Sequence, residues 1–156
     1  MPNTIIKNKK IEHLWSVLSG SSSVDQNSNS LSIFNVVEEI TINTVPQIAG
    51  NNPVGKNSPL GIFSLPINLT ITSLWQRNDD DKNREDLKVE GILEFLDPKG
   101  KILITNPVIL DFKKEFKRLR AITVINGISF TTQGEYRFVL KTNSEKKGDA
   151  EEITSI

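Results

Sequence analysis

The 156-residue chain contains no cysteine. That removes disulfides, thiolate nucleophiles and cysteine-held zinc or iron–sulfur centres. It has one histidine, one methionine and few aromatic residues. It has no excess of either charge: 19 Lys and Arg stand against 19 Asp and Glu. A neutral chain exerts no overall pull on nucleic acid or an anionic membrane, so such a role would fall to a local patch. No apolar run approaches the ~18 residues of a membrane span. The first ten residues, MPNTIIKNKK, lack the apolar stretch of a secretory signal. There is no G-x-S-x-G elbow and no phosphate-binding G-x-x-x-x-G-K-[ST] loop. These absences lead to the expectation of a soluble cytoplasmic protein without a cofactor or a membrane partner. They speak against an enzyme and against nucleic acid as the partner.

What is present is β-sheet chemistry. Residues 1–10 read as a polar leader, 11–142 as one β-domain and 143–156 as a polar tail. A domain of this size buries roughly 70% of its unfolded surface and needs no covalent staple. His13–Ser19 is a short apolar strand. Ser21–Ser30 is turn chemistry, because Ser, Asn and Asp side chains bond their own backbone. Leu31–Asn43 has apolar residues of both parities, which predicts a central strand that becomes half-exposed at Glu38 and Glu39. Val45–Leu60, with Pro46, Pro53 and Pro59, is a long loop. Phe63–Arg77 alternates most cleanly, with Ile67, Leu69, Ile71 and Trp75 inward and Asn68, Thr70 and Thr72 in water. Leu87–Leu96 repeats the pattern with Leu87, Val89, Leu93 and Phe95. Asp97-Pro98-Lys99-Gly100 is a turn, leading into a partner strand Lys101–Thr105 that Asn106-Pro107 breaks. Val108–Arg120 fits both helical and strand spacing; an otherwise all-β chain favours strand. Leu119–Lys141 joins two alternating strands through Asn126-Gly127, Ile128, Phe130 and Gly134-Glu135-Tyr136, as two packed sheets are joined at a corner. The fold class is all-β: one antiparallel sandwich of seven or eight strands, Ig-like or C2-like.

Two segments carry a resemblance. Residues 13–42, HLWSVLSGSSSVDQNSNSLSIFNVVEEITI, and residues 118–140, RLRAITVINGISFTTQGEYRFVL, resemble a family of small uncharacterised bacterial β-sandwich proteins. The family closes with G-x-x-F-x-x-x-G-x-Y-x-F, matched here by Gly127, Phe130, Gly134, Tyr136 and Phe138. The resemblance covers about a third of the chain, and its motifs are structural. It implies a fold and a buried corner, and no catalytic residue.

Four constellations have chemical potential. His13, Ser16, Ser21 and Asp25 can be imagined as a hydrolytic triad, but no strained elbow presents a serine; a polar residue at the mouth of a strand is the plainer reading. Asp79, Asp80, Asp81, Glu85 and Asp86 crowd one loop and could hold calcium, although Lys82 and Arg84 interrupt them and a solvated loop suffices. Lys113, Lys114, Lys117, Arg118 and Arg120 interleave with Phe112 and Phe116. They could contact an anion, a nucleic acid or a protein, or protect a sheet edge. Trp15, Trp75 and Tyr136 could line a groove, but such residues on strands usually sit in the core with a bonded polar tip. The function expected is a non-enzymatic interaction or structural module, with a protein partner or self-association. The alternative is a ligand-binding module at the acidic loop or the basic segment. If those two charged segments lay far apart, they could pair between copies.

Overall fold

The structure is a computed structural model, and it describes residues 10–41, 63–79, 84–142 and 150–155. Among these residues there are eight strands and no helix. They are β1 (Ile11–Val24), β2 (Leu31–Val36), β3 (Phe63–Arg77), β4 (Leu87–Leu96), β5 (Ile102–Phe112), β6 (Arg118–Phe130), β7 (Arg137–Thr142) and β8 (Ala150–Ser155). One sheet has the order β2-β1-β3-β6 and the other β5-β4-β7-β8. Every pairing is antiparallel.

A single apolar cluster draws on both sheets. Leu18, Leu69, Ile71, Trp75 and Ile125 come from the first, and Leu93, Phe95, Leu110, Phe112, Phe138 and Leu140 from the second. Period-two alternation aims these side chains to one side of each sheet, and removing them from water is the main favourable term in folding. The Trp75 indole N–H donates to Ser73 Oγ at 2.8 Å, so its polar atom is satisfied inside the core.

The Asp97–Gly100 turn forms as expected. Gly100 has φ +81° and its N–H donates to the Asp97 carbonyl at 2.8 Å. Across it, Phe95 stands opposite Ile104. The strand does not stop at Pro107. β5 is the edge of its sheet, so a residue without an N–H is accommodated with that position turned to the unpaired side. Val108–Arg120 is neither one helix nor one strand. It ends β5, turns at Lys113–Lys117 and begins β6 in the opposite sheet. Those lysines therefore lie in a crossing link, and do not guard an edge strand.

Four further expectations are corrected. Residues 21–24 are strand, and the turn is confined to 25–30. There the Asp25 carboxylate accepts from the N–H groups of Asn27 and Ser28, at 3.0 and 2.7 Å. The second strand ends at Val36 and is an edge, with Phe34 and Val36 exposed. Thr70 and Thr72 are buried despite their outward parity. The stretch read as a polar tail supplies β8, paired with β7. The proposed loop at Val45–Leu60 lies outside the described residues.

The cover over Thr70 and Thr72 follows from the ladder. β1 pairs with β3 only as far as Ser19↔Thr70, then pairs with β2 as far as Val24↔Leu31. Continued straight, this hairpin would leave Thr70 in the direction away from Leu74. Yet the Arg120 guanidinium, opposite Leu74 on β6, donates to the Asn29 carbonyl at 3.4 Å. At ~3.3 Å per strand residue a straight hairpin misses that contact by more than its own length. The β1–β2 arm therefore bends back over the outer face of the first sheet. Ser19 and Thr72 are left without exposed surface beneath it.

The candidate interaction site

At one end of the domain the two charged segments meet. Arg77 ends β3 and is almost wholly buried, at 2% exposure. Its guanidinium pairs with the Asp79 carboxylate, with Nε at 2.8 and 2.9 Å from the two oxygens. It also donates to the Glu85 carbonyl at 2.6 Å and reaches the Lys113 carbonyl at 3.5 Å. The Arg77 hydrogen bonds hold the Asp79 carboxyl below the usual carboxylate range. Asp86 accepts from the Lys114 N–H at 2.9 Å and stands 3.7 Å from Lys113 Nζ. Lys113 also bonds Asp111 at 2.9 Å, and that bond raises the lysine's pKa. The acidic loop and the basic link are thus neighbours that neutralise each other within one chain. The premise of two distant fields pairing between copies fails, because the β3 end, the β4 start and the β5–β6 link converge on one arginine.

Of the five carboxylates expected as calcium donors, Asp79 and Asp86 are engaged in this way. Asp80 and Asp81 lie outside the described residues. No cluster of three or more metal-ligating side chains occurs among the described residues. Of the five cations, Arg120 holds the arm through Asn29, and Arg118 donates to the Gln76 side chain at 3.2 Å. Lys114 and Lys117 are exposed on the link. Phe116, between them, is 60% exposed, whereas Phe112 is fully buried. The aromatic interleaving read from sequence therefore does not form one stripe.

His13 does meet Ser16, with Nε2 2.7 Å from Oγ, and its ring lies 4.7 Å from that of Trp75. Asp25 is far along the chain in the β1–β2 turn, where its Oδ1 accepts from that turn's own N–H groups. Ser21 lies on the β2-paired part of the arm. The imagined triad is not brought together.

The corner residues are assembled as expected. Tyr136 is buried, and its hydroxyl accepts from the N–H groups of Thr131 and Thr132 at 2.8 and 3.0 Å. It donates to the Thr132 carbonyl at 2.7 Å. Its ring stacks on Phe95 at 5.4 Å and meets Phe130 edge-on at 5.0 Å. Phe138 also stacks on Phe95, at 4.6 Å. Gly134 has φ +141°, and a Cβ there would lie 2.8 Å from Pro98. The corner thus presses on the β4–β5 turn. Asp97 ties the two together: one oxygen accepts from the Lys99 and Lys101 N–H groups, at 2.9 and 2.8 Å, and the other from the Thr131 hydroxyl at 3.1 Å. These bonds, led by that from Lys101, lower its pKa. The rings of Phe95, Tyr136 and Phe138 in this cluster are buried.

The sequence reading missed an open face between two sheet edges. Among the described residues β5 and β6 are the edges of opposite sheets, and they lie beside one another. Between them lies an open groove of about 410 Å³, bordered by Pro107, Ile109, Arg120, Ile122 and Val124. Ile109, Ile122 and Val124 are 57, 43 and 55% exposed. A signal was available: Ala121–Ile122–Thr123–Val124–Ile125 is uncharged and mostly β-branched on both parities, more than a half-wet strand requires. No family model, curated protein or solved structure matches the chain. No helix among the described residues is long and apolar enough to cross a membrane.

Proposed function

We propose that this domain is a non-enzymatic protein-interaction module, and that its docking face is the open side where β5 and β6 lie together. The observation that carries the reading is the exposure of Ile109, Ile122 and Val124 beside two sheet edges that are unpaired among the described residues. Contiguous exposed apolar surface with free backbone donors and acceptors favours an extended protein segment over a small polar ligand. The convergence of Arg77, Asp79, Asp86 and Lys113 supports the choice. It uses the strongest local charges to hold one end of the domain together, and so favours the apolar β5–β6 side over the charged segments as the docking face. On this reading the two sheets form a sandwich of the Ig-like or C2-like kind, within the bacterial family that the Gly127–Phe138 motif resembles.

The test compares proteins retained from a source-cell extract by the immobilised wild type and by Ile109→Lys/Ile122→Lys. Circular dichroism and thermal melts establish that both are folded. A partner held by the wild type and lost by the variant supports the assignment. Retention of the same proteins in the same amounts by both removes the β5–β6 side as the docking face.

A further inference from the structure

The two edges that border the groove differ in how they meet another strand. β5 carries Pro107 at its middle, where a missing N–H interrupts any new ladder. Asp111 puts a charge near its far end. β6 has none of these devices over residues 121–126, AITVIN. That run has no charge, no proline and no glycine, and four of its six residues are β-branched. Natural edge strands are usually blunted by lysine, proline or a bulge, and an unblunted one is a template for pairing. The nearest irregularity, Gly127 with φ +75°, comes after the run ends. Arg118 and Arg120 come before it.

We propose that β6 pairs antiparallel with β6 of a second copy about a two-fold axis at Thr123, extending the first sheet across the dimer. The proposal rests on the docking face assigned above and names its occupant. The sequence of the edge is self-complementary in this register. Ile122 meets Val124 of the other copy, and Val124 meets Ile122, so the two exposed apolar side chains of each edge cover one another. Ala121 meets Ile125, and Thr123 meets Thr123. Arg120 meets Asn126, a neutral amide. Moving the axis to Arg120 would set two Arg120 side chains directly opposite, and moving it to residue 119 would set Arg118 against Arg120; both are repelled. The Thr123 axis is thus the one that pairs Ile122 with Val124 while keeping cation from cation. An isologous contact of this kind closes at two copies, because each β6 edge is used up by the other.

The experiment is the mass of the full chain by sedimentation equilibrium over a concentration series, for wild type and Val124→Lys. Val124 is exposed and on the outer face, so lysine there leaves the core untouched, and coincident thermal melts check this. The wild type is expected to move from the 17.5 kDa chain mass to twice that value as concentration rises. Val124→Lys should raise the dissociation constant about tenfold or more, since the position enters the interface twice by symmetry. Single-cysteine variants at 122, 123 and 124 read the register in a chain with no other cysteine. On oxidation Thr123→Cys should cross-link most completely. A wild type that stays monomeric throughout overturns self-pairing, while a distinct partner lost on Ile109→Lys/Ile122→Lys would still uphold the docking face. A dimer that Val124→Lys does not weaken, or that cross-links best at 122 or 124, overturns the β6 register proposed here.

Discussion

Replacing Tyr136 by phenylalanine isolates the corner, because it removes one oxygen and keeps the ring. The ring contacts with Phe95 and Phe130 survive. What is lost is an oxygen that accepts two backbone N–H groups and donates to one carbonyl, at 2.8, 3.0 and 2.7 Å. A single hydrogen bond is worth about 1 kcal/mol net, and an orphaned buried donor costs about 1–3 kcal/mol. Thr131 and Thr132 are only half-buried, so water reaches part of what the hydroxyl abandons. The expected cost is therefore about 2 kcal/mol, above the value of one bond and below that of two buried orphans. For a domain of this size that corresponds to a fall in melting temperature of roughly 4–8 °C. Urea unfolding followed by tryptophan fluorescence gives the free energy, and Trp75 in the shared core supplies the signal. Calorimetry gives the melting shift. An unchanged slope with a lower midpoint would show that the native state alone was affected. A loss below about 0.5 kcal/mol would refute the reasoning, because it would mean that the three bonds are replaced at no cost.

The other expectations follow from the same geometry. Gly100→Val should destabilise by about 1–2 kcal/mol from backbone strain alone, since φ is +81° and nothing lies within 4 Å of the added Cβ; equal urea midpoints would contradict it. Gly134→Ala should cost more than an exposed Gly→Ala change, because the new methyl falls 2.8 Å from Pro98. Arg77→Ala should cost about 3 kcal/mol from lost bonds to a charged group and the carbonyls it leaves unpaired, and limited proteolysis should then reach the 78–86 and 113–117 links first. The Asp97 carboxylate has its folded pKa lowered, so its contribution is full above the unfolded value of about 3.9 and is lost as pH falls through the lower folded value. The stability gap between wild type and Asp97→Asn should accordingly narrow from pH 7 towards pH 3, and a constant gap would deny the carboxylate this role.

Local chemistry in the sequence was enough for several elements. Phe63–Arg77 and Leu87–Leu96 are strands with the bounds their alternation predicts, because period-two burial is written residue by residue. The Asp97–Gly100 turn and the Gly127–Phe138 corner were legible for a similar reason: positive φ at Gly100 and a tyrosine bonded five residues back are local requirements. What sequence could not decide was which strands are edges, since that depends on how distant segments order themselves in a sheet. Pro107 reads as a breaker until β5 is seen to lie at the edge of its sheet among the described residues. Thr70 and Thr72 read as wet until the β1–β2 arm, far earlier in the chain, folds over them. The acidic and basic runs, both visible at once in the sequence, became one neutral junction only when tertiary structure placed Arg77 between them. The exposure of Ile122 and Val124 belongs to the same class. A strand's side-chain pattern is set by its own residues, but the partner on each flank is set by the whole chain.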